Sequence, residues 1–182
     1  MLGTPHQGSH AAAGMLIGRH DVMRKLAVAY RGNSLQEHVD VVATLPGTMQ
    51  LMPRREFLSQ GVDAIPDYLD PNFWQGLRTG PGEAPKVVDR FFGNGIVGVP
   101  SAKAIEAGKK LYELQGFDAT NPSMPGADAA EVDRLADRIV MVLGRADQTP
   151  IGLKQDDGAW RLVYTADGDG TVPWASSRIR GI

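Results

Sequence analysis

Thr165-Ala-Asp-Gly-Asp-Gly-Thr-Val-Pro173 is the stretch on which the reading of this chain turns. The residues before it, Trp160 to Tyr164, have the apolar and β-branched content of a strand. Asp167 and Asp169 therefore stand in a turn at a strand's end. Gly168 and Gly170 permit a tight turn with positive φ and leave the Asp169 carboxylate free to accept a histidine N–H. A carboxylate so placed orients an imidazole and stabilises its charged form, while the imidazole activates a nucleophile. A plain surface turn is the competing reading, because Asp-Gly pairs are common in turns. A calcium loop is excluded by spacing: counted from Asp167, position six is Val172 where glycine is needed, and no glutamate stands at position twelve.

Upstream of this loop, Ile151 to Lys154 and Trp160 to Tyr164 flank Asp156-Asp157-Gly158, a strong hairpin signal. Ile139-Val-Met-Val-Leu143 is an uninterrupted apolar run of the kind shown by a strand buried on both faces. A short helix is expected over about Ala129 to Asp137, after a loop at Asn121-Pro-Ser-Met-Pro-Gly126. Ser101 caps a helix through about Gln115, with Ile105, Leu111 and Leu114 on one face and Gly116 as its stop. From Pro53 to Pro100 six prolines punctuate short apolar pieces such as Phe73-Trp74 and Phe91-Phe92, which predicts a meandering insertion. Asn33 and Ser34 cap a helix through about Thr44, ended by Pro46-Gly47, and a short turn follows over Thr48 to Leu51. Apolar spacing predicts one helix over His10 to Tyr30, weakened by Gly14 and Gly18. Met1 to Ser9 read as the stub of a strand entering a loop.

At 182 residues, 42% hydrophobic and 22% charged, the chain reads as one ordinary globular domain. A net charge of -2 offers no footprint for nucleic acid or an anionic membrane. No apolar run approaches the roughly 20 residues of a membrane span, and Met1-Leu-Gly-Thr-Pro-His6 lacks the features of a signal peptide. The chain reads as soluble, with a cytoplasmic location favoured. With no cysteine there is no disulfide framework and no thiolate metal site. His6 and His10 invite a metal or general-base reading, which fails because Pro5 prevents one helix from carrying both and no third ligand lies nearby. His20 and His38 fall within expected helices without a carboxylate partner, so packing or exposure is their reading.

Two strings taken together, Leu2-Gly-Thr-Pro-His-Gln-Gly-Ser9 and Gly168-Asp-Gly-Thr-Val-Pro173, with Leu45-Pro46 through Leu51-Met52-Pro53 between them, resemble the lipase and lecithin:cholesterol acyltransferase-like branch of the α/β-hydrolases. In that family the first string follows the sheet strand after the nucleophile elbow, the last carries the catalytic acid, and a mostly helical insertion between them contributes to a lid and acyl pocket. The resemblance implies a partial α/β-hydrolase fold over residues 1–182, with few sheet strands, a helical insertion or cap over 10–137, and strand, hairpin and acid loop over 138–182. It implies that Asp169 is the acid of a Ser-His-Asp triad acting on an ester or lipid substrate, with no cofactor and no metal. Met15, Leu16, Met49, Leu51, Phe73 and Trp74 are candidates for an apolar acyl wall, with ordinary core packing as the alternative.

The rest of the triad is missing from the sequence. A nucleophile elbow needs G-x-S-x-G, and none occurs: Ser34, in Gly32-Asn-Ser-Leu-Gln36, and Ser59, in Phe57-Leu-Ser-Gln-Gly61, are half matches, while the other serines match less well. The family places its histidine after the acid, and no histidine follows His38. The expectation is thus the later part of a serine lipase, esterase or acyltransferase, inert alone, with Met1 not the native start. The alternative is a non-catalytic interaction or scaffold module derived from the same fold.

Overall fold

Ser9 starts the first helix by accepting the Ala11 N–H on its hydroxyl at 3.2 Å. The computed structural model describes residues 7–30, 32–53, 66–79, 96–114, 138, 140, 142–156 and 159–177. Helix α1 (His10–Leu16) is buried at nearly every position, which its run of three alanines and Gly14 allows by letting neighbours approach closely. Where spacing predicts one helix over 10–30, the structure has two. Gly18 takes φ +63, a left-handed conformation in which a Cβ would also meet Ile96 at 2.9 Å, and the chain turns there. Helix α2 (Asp21–Ala29) then begins with His20 as its cap, whose Nδ1 accepts the Val22 N–H at 3.3 Å. His20 is therefore a cap and not an interior helical residue.

Helix α3 (Leu35–Thr44) opens on a capping box, with Ser34 and Glu37 each satisfying the other's backbone N–H. Pro46 does more than end α3, because it also begins helix α4 (Pro46–Gln50), at a position where its missing N–H costs nothing. Pro71 does the same for helix α5 (Pro71–Thr79), with Asp70 Oδ1 accepting from Asn72 N at 2.9 Å. The stretch expected to be irregular thus contains a regular helix carrying Phe73 and Trp74. Helix α6 (Ala102–Leu114) follows Ser101, whose hydroxyl accepts from Ala104 N at 3.2 Å. Gln115, the loop at 121–126, the helix expected at 129–137, and Phe91-Phe92 lie outside the described residues, as do His6 and the rest of the first string before Gln7.

Strands β1 (Thr149–Asp156) and β2 (Ala159–Thr165) pair antiparallel from Thr149 with Thr165 to Asp156 with Ala159, with an irregularity between Pro150 and Gly152. Of the expected turn Asp156-Asp157-Gly158, Asp156 is the last residue of β1, and Asp157 and Gly158 lie outside the described residues. A short helix, α7 (Trp174–Ser177), comes after the acid loop. Helices and an antiparallel hairpin make the chain a mixed α and β protein. The apolar run 139–143 corrects the expectation of a doubly buried strand: Val140 and Val142 are 84% and 60% exposed, and no strand includes them. An apolar run is buried only where a sheet supplies neighbours, and among the described residues the sole sheet is the β1–β2 pair. Ile139 and Met141 lie outside the described residues.

Helix α1 packs on β1 and α3, α4 packs on α6, and α2 packs on α3. The main core gathers Leu16, Met49, Met52, Tyr68, Trp74 and Leu153, and a second cluster joins Met23, Ala27, Leu35, Val39 and Ile96. Aromatic rings meet edge to face in the first: Phe73 lies 5.1 Å from Trp74 and 5.7 Å from Trp160. Each such pair adds about 0.5–1.5 kcal/mol beyond the area it buries. Trp74 Nε1 donates to the Tyr68 carbonyl at 2.8 Å, so the indole is buried without leaving its donor unmade. Of the six residues considered for an acyl wall, Leu16, Met49 and Trp74 are fully buried core, Met15 and Phe73 are half-buried, and Leu51 is exposed. No helix among the described residues is long and apolar enough to cross a membrane.

His10 lies in this core with its Nδ1 3.2 Å from the Tyr68 hydroxyl. Burial lowers its pKa from 6.5 to about 3 and raises that of the Tyr68 phenol, so the pair is a hydrogen bond between neutral groups. Between pH 6.5 and about 3 the unfolded chain holds a proton on this histidine that the folded chain refuses. Its contribution to stability is complete above pH 6.5 and falls by about 1.4 kcal/mol per unit as pH drops through that window. Urea midpoints measured from pH 7.5 to 4 should show this slope, and His10→Gln should remove it. An equal slope in the variant would assign the acid sensitivity to other groups.

Candidate functional site

Thr165 ends β2, and its hydroxyl accepts the Asp167 N–H at 3.1 Å, which bends the chain into the acid loop. The loop closes on itself through a bridge between Gly168 and Pro173, while Trp174 N donates to the Asp167 carbonyl at 2.9 Å. Gly170 has φ +95, a left-handed conformation that glycine adopts without strain. Within the loop, Asp169 Oδ1 accepts two backbone N–H groups, from Thr171 at 2.9 Å and from Val172 at 2.7 Å. Oδ2 has no hydrogen-bond partner among the described residues, and the side chain is exposed. One carboxylate oxygen is thus held by the loop's own backbone while the other makes no hydrogen bond among the described residues.

Residues on three sides hold the loop. From below, Thr149 Oγ1 accepts the Gly170 N–H at 2.9 Å. From the extended segment before β1, Ala146 N donates to the Gly168 carbonyl at 2.7 Å, and the Gly144 carbonyl accepts the Trp174 indole N–H at 2.6 Å. From the start of the chain, the Ser9 hydroxyl donates to the Thr171 carbonyl, and Ser176 Oγ donates back to the Gly8 carbonyl at 2.5 Å. These two bonds span 162 and 168 residues.

The same junction engages the middle string. Ser9 N donates to the Leu51 carbonyl at 2.8 Å, and the Tyr112 hydroxyl donates to the Met52 carbonyl. Gly8 has φ +84, and a Cβ there would lie 2.3 Å from Met52 O and 2.6 Å from Pro53 Cα. Only glycine fits so close to another backbone. The described parts of the three strings singled out in the sequence, ending at Ser9, around Leu51-Met52-Pro53 and at Gly168 to Pro173, therefore meet in one place.

None of these hydrogen bonds of the loop involves a histidine, and His6 lies outside the described residues. His10 is paired with Tyr68 in the core, His20 caps α2, and His38 lies edge-on to Tyr30 at 6.2 Å. Ser9 and Ser176 are buried, with hydroxyl protons donated to backbone carbonyls, so neither presents a nucleophile. Among the described residues no group of three or more His, Asp or Glu is placed to hold a metal ion. Three contributors were not visible in the sequence: Thr149, Ser176 and Trp174. Their roles come from tertiary contacts, and the only local hint was that Trp174 directly follows the Thr171-Val-Pro173 string.

Removing the Ser9 hydroxyl deletes both a helix cap and a bond across the fold. Ser9→Ala should lower stability by about 2–3 kcal/mol, against about 1 kcal/mol for Ser34→Ala, which loses an exposed cap alone. Urea unfolding of both variants checks this, and equal losses would mean that the contact between the first string and the acid loop adds nothing.

Comparison with protein-family models, with curated proteins and with solved structures gives no match to this chain.

Proposed function

We propose that this chain is the acid-bearing part of a serine hydrolase acting on carboxylic ester or lipid substrates, a lipase, esterase or O-acyltransferase, with Asp169 as the triad acid. The convergence of the three strings at Gly8-Ser9, Met52-Pro53 and the Asp169 loop is the observation that carries this reading. In the hydrolase family that these strings resemble, the first follows the sheet strand after the nucleophile elbow and the last carries the catalytic acid, and a fortuitous surface turn has no reason to be tied to the first string, which itself lies on the middle one. The state of the carboxylate fits the role. Two backbone N–H groups on Oδ1 keep it oriented, and Oδ2, with no hydrogen bond among the described residues, can accept an imidazole N–H.

In this reading the serine and histidine are supplied by polypeptide outside the 182 residues. The exposed Val140 and Val142, on the extended segment that braces the acid loop at Gly144 and Ala146, support it, since an apolar segment beside a catalytic edge suits a neighbouring strand. Chemistry at the complete site would be acyl transfer: the serine oxygen attacks the ester carbonyl, its proton passes to the imidazole, and Asp169 stabilises the imidazolium.

The isolated chain should show no turnover of short-chain nitrophenyl esters above buffer. The reading frame extended in both directions should encode a G-x-S-x-G before residue 1 and a histidine after residue 182. In that longer protein Asp169→Asn should lower kcat by about 10⁴ with little change in KM, as expected when an imidazole loses its orienting acid. Turnover by the 182-residue chain that Asp169→Asn abolishes, or an extended frame lacking both groups, would refute the proposal.

A further inference from the structure

We infer that Thr149 is the positioning residue of the Asp169 loop, acting through its hydroxyl and not merely through its bulk. This rests on the reading of Asp169 as the acid. Thr149 is fully buried at the first position of β1, directly opposite Thr165, the residue from which the loop departs. Two contacts from this one side chain reach both glycines that flank Asp169. Oγ1 accepts the Gly170 N–H at 2.9 Å, and a Cβ built on Gly168 would fall 2.5 Å from both Oγ1 and Cγ2. The side chain thus fills the space under Gly168 and anchors the backbone on the far side of the aspartate, so Asp169 is held between two fixed points.

The consequence for the carboxylate is direct. Oδ1 receives N–H groups from Thr171 and Val172, the residues that follow the anchored Gly170. If Gly170 is released, the turn that aims those two donors at Oδ1 loosens, and the carboxylate loses the constraint that fixes which of its oxygens the backbone holds. Neither neighbour of the loop on the Gly144 to Ala146 side can replace this anchor, because their bonds reach Gly168 and Trp174 and leave Gly170 untouched.

Amide hydrogen exchange on the full 182-residue chain tests the inference without requiring activity, so its failure is distinct from failure of the hydrolase reading. Thr149→Val keeps the shape and removes the acceptor; Thr149→Ser keeps the acceptor and removes the methyl. In Thr149→Val, exchange at Gly170, Thr171 and Val172 should quicken about tenfold while Leu153 and Leu162 in the hairpin keep their protection. In Thr149→Ser, the loop amides should exchange within about twofold of the parent. Unchanged loop exchange in Thr149→Val, loop loss as large in Thr149→Ser, or a uniform rise across the hairpin would each overturn it, the last by showing a strut of the whole fold.

Discussion

The close approach of Gly8 to the backbone of Met52 and Pro53 is the constraint on which the rest of the arrangement depends. With no Cβ, this residue lets the start of the chain lie against the end of α4 at less than side-chain distance, in a conformation of φ +84 that other residues rarely adopt. Ser9 follows at once, and in that position its N–H reaches Leu51, its oxygen caps α1, and its proton reaches Thr171. A shift of an ångström at Gly8 would misalign all three. The acid loop's place relative to α1 is thus set by a residue outside the loop.

Helix α1 transmits that placement to the core. It is buried because its side chains are small, and Gly14 admits Leu162 of β2 to within 2.9 Å of where a Cβ would stand. Its one large polar residue, His10, is buried at the cost of its charge, and the Tyr68 hydroxyl gives it a neutral partner. Tyr68 in turn carries the edge-to-face contacts to Phe73 and accepts the Trp74 indole on its carbonyl. Aromatic packing around α5 therefore supports the same helix that Ser9 ties to the acid loop.

Much of this was legible in the sequence where the cause is local. Ser34 with Glu37, and Ser101, announce helix starts because a cap and its donors lie within three residues. The hairpin was legible through Asp-Asp-Gly between two extended pieces. Gly18 weakens the predicted helix on local grounds, yet Ile96, some eighty residues away, occupies the space a side chain there would need. Pro46 reads as the end of α3 and Pro71 as punctuation of an irregular stretch, yet each begins a helix, since proline is equally compatible with breaking one element and with the first turn of the next. The run at 139–143 looked buried because apolarity shows only a preference for burial, and the burial itself must be supplied by a neighbouring strand. Of the site, Asp169 and its glycines were legible as a motif, whereas Thr149 and Ser176, ordinary hydroxyls far from Asp169 or after it, show their roles only once folded.

The distribution of hydroxyls also constrains what the loop can do. Ser9 and Ser176 are both close to it, but their protons are already committed to the Thr171 and Gly8 carbonyls, and freeing either would open the junction that holds the loop in place. A nucleophile drawn from these residues would dismantle the support of its own acid. The Asp169 carboxylate is in the opposite condition, with one oxygen bound by backbone and the side chain exposed, so it can gain a partner without giving up its structure. With Ser9 and Ser176 committed to the junction and the carboxylate exposed, the loop can take a hydrogen-bond donor at Asp169 without loss of its own support.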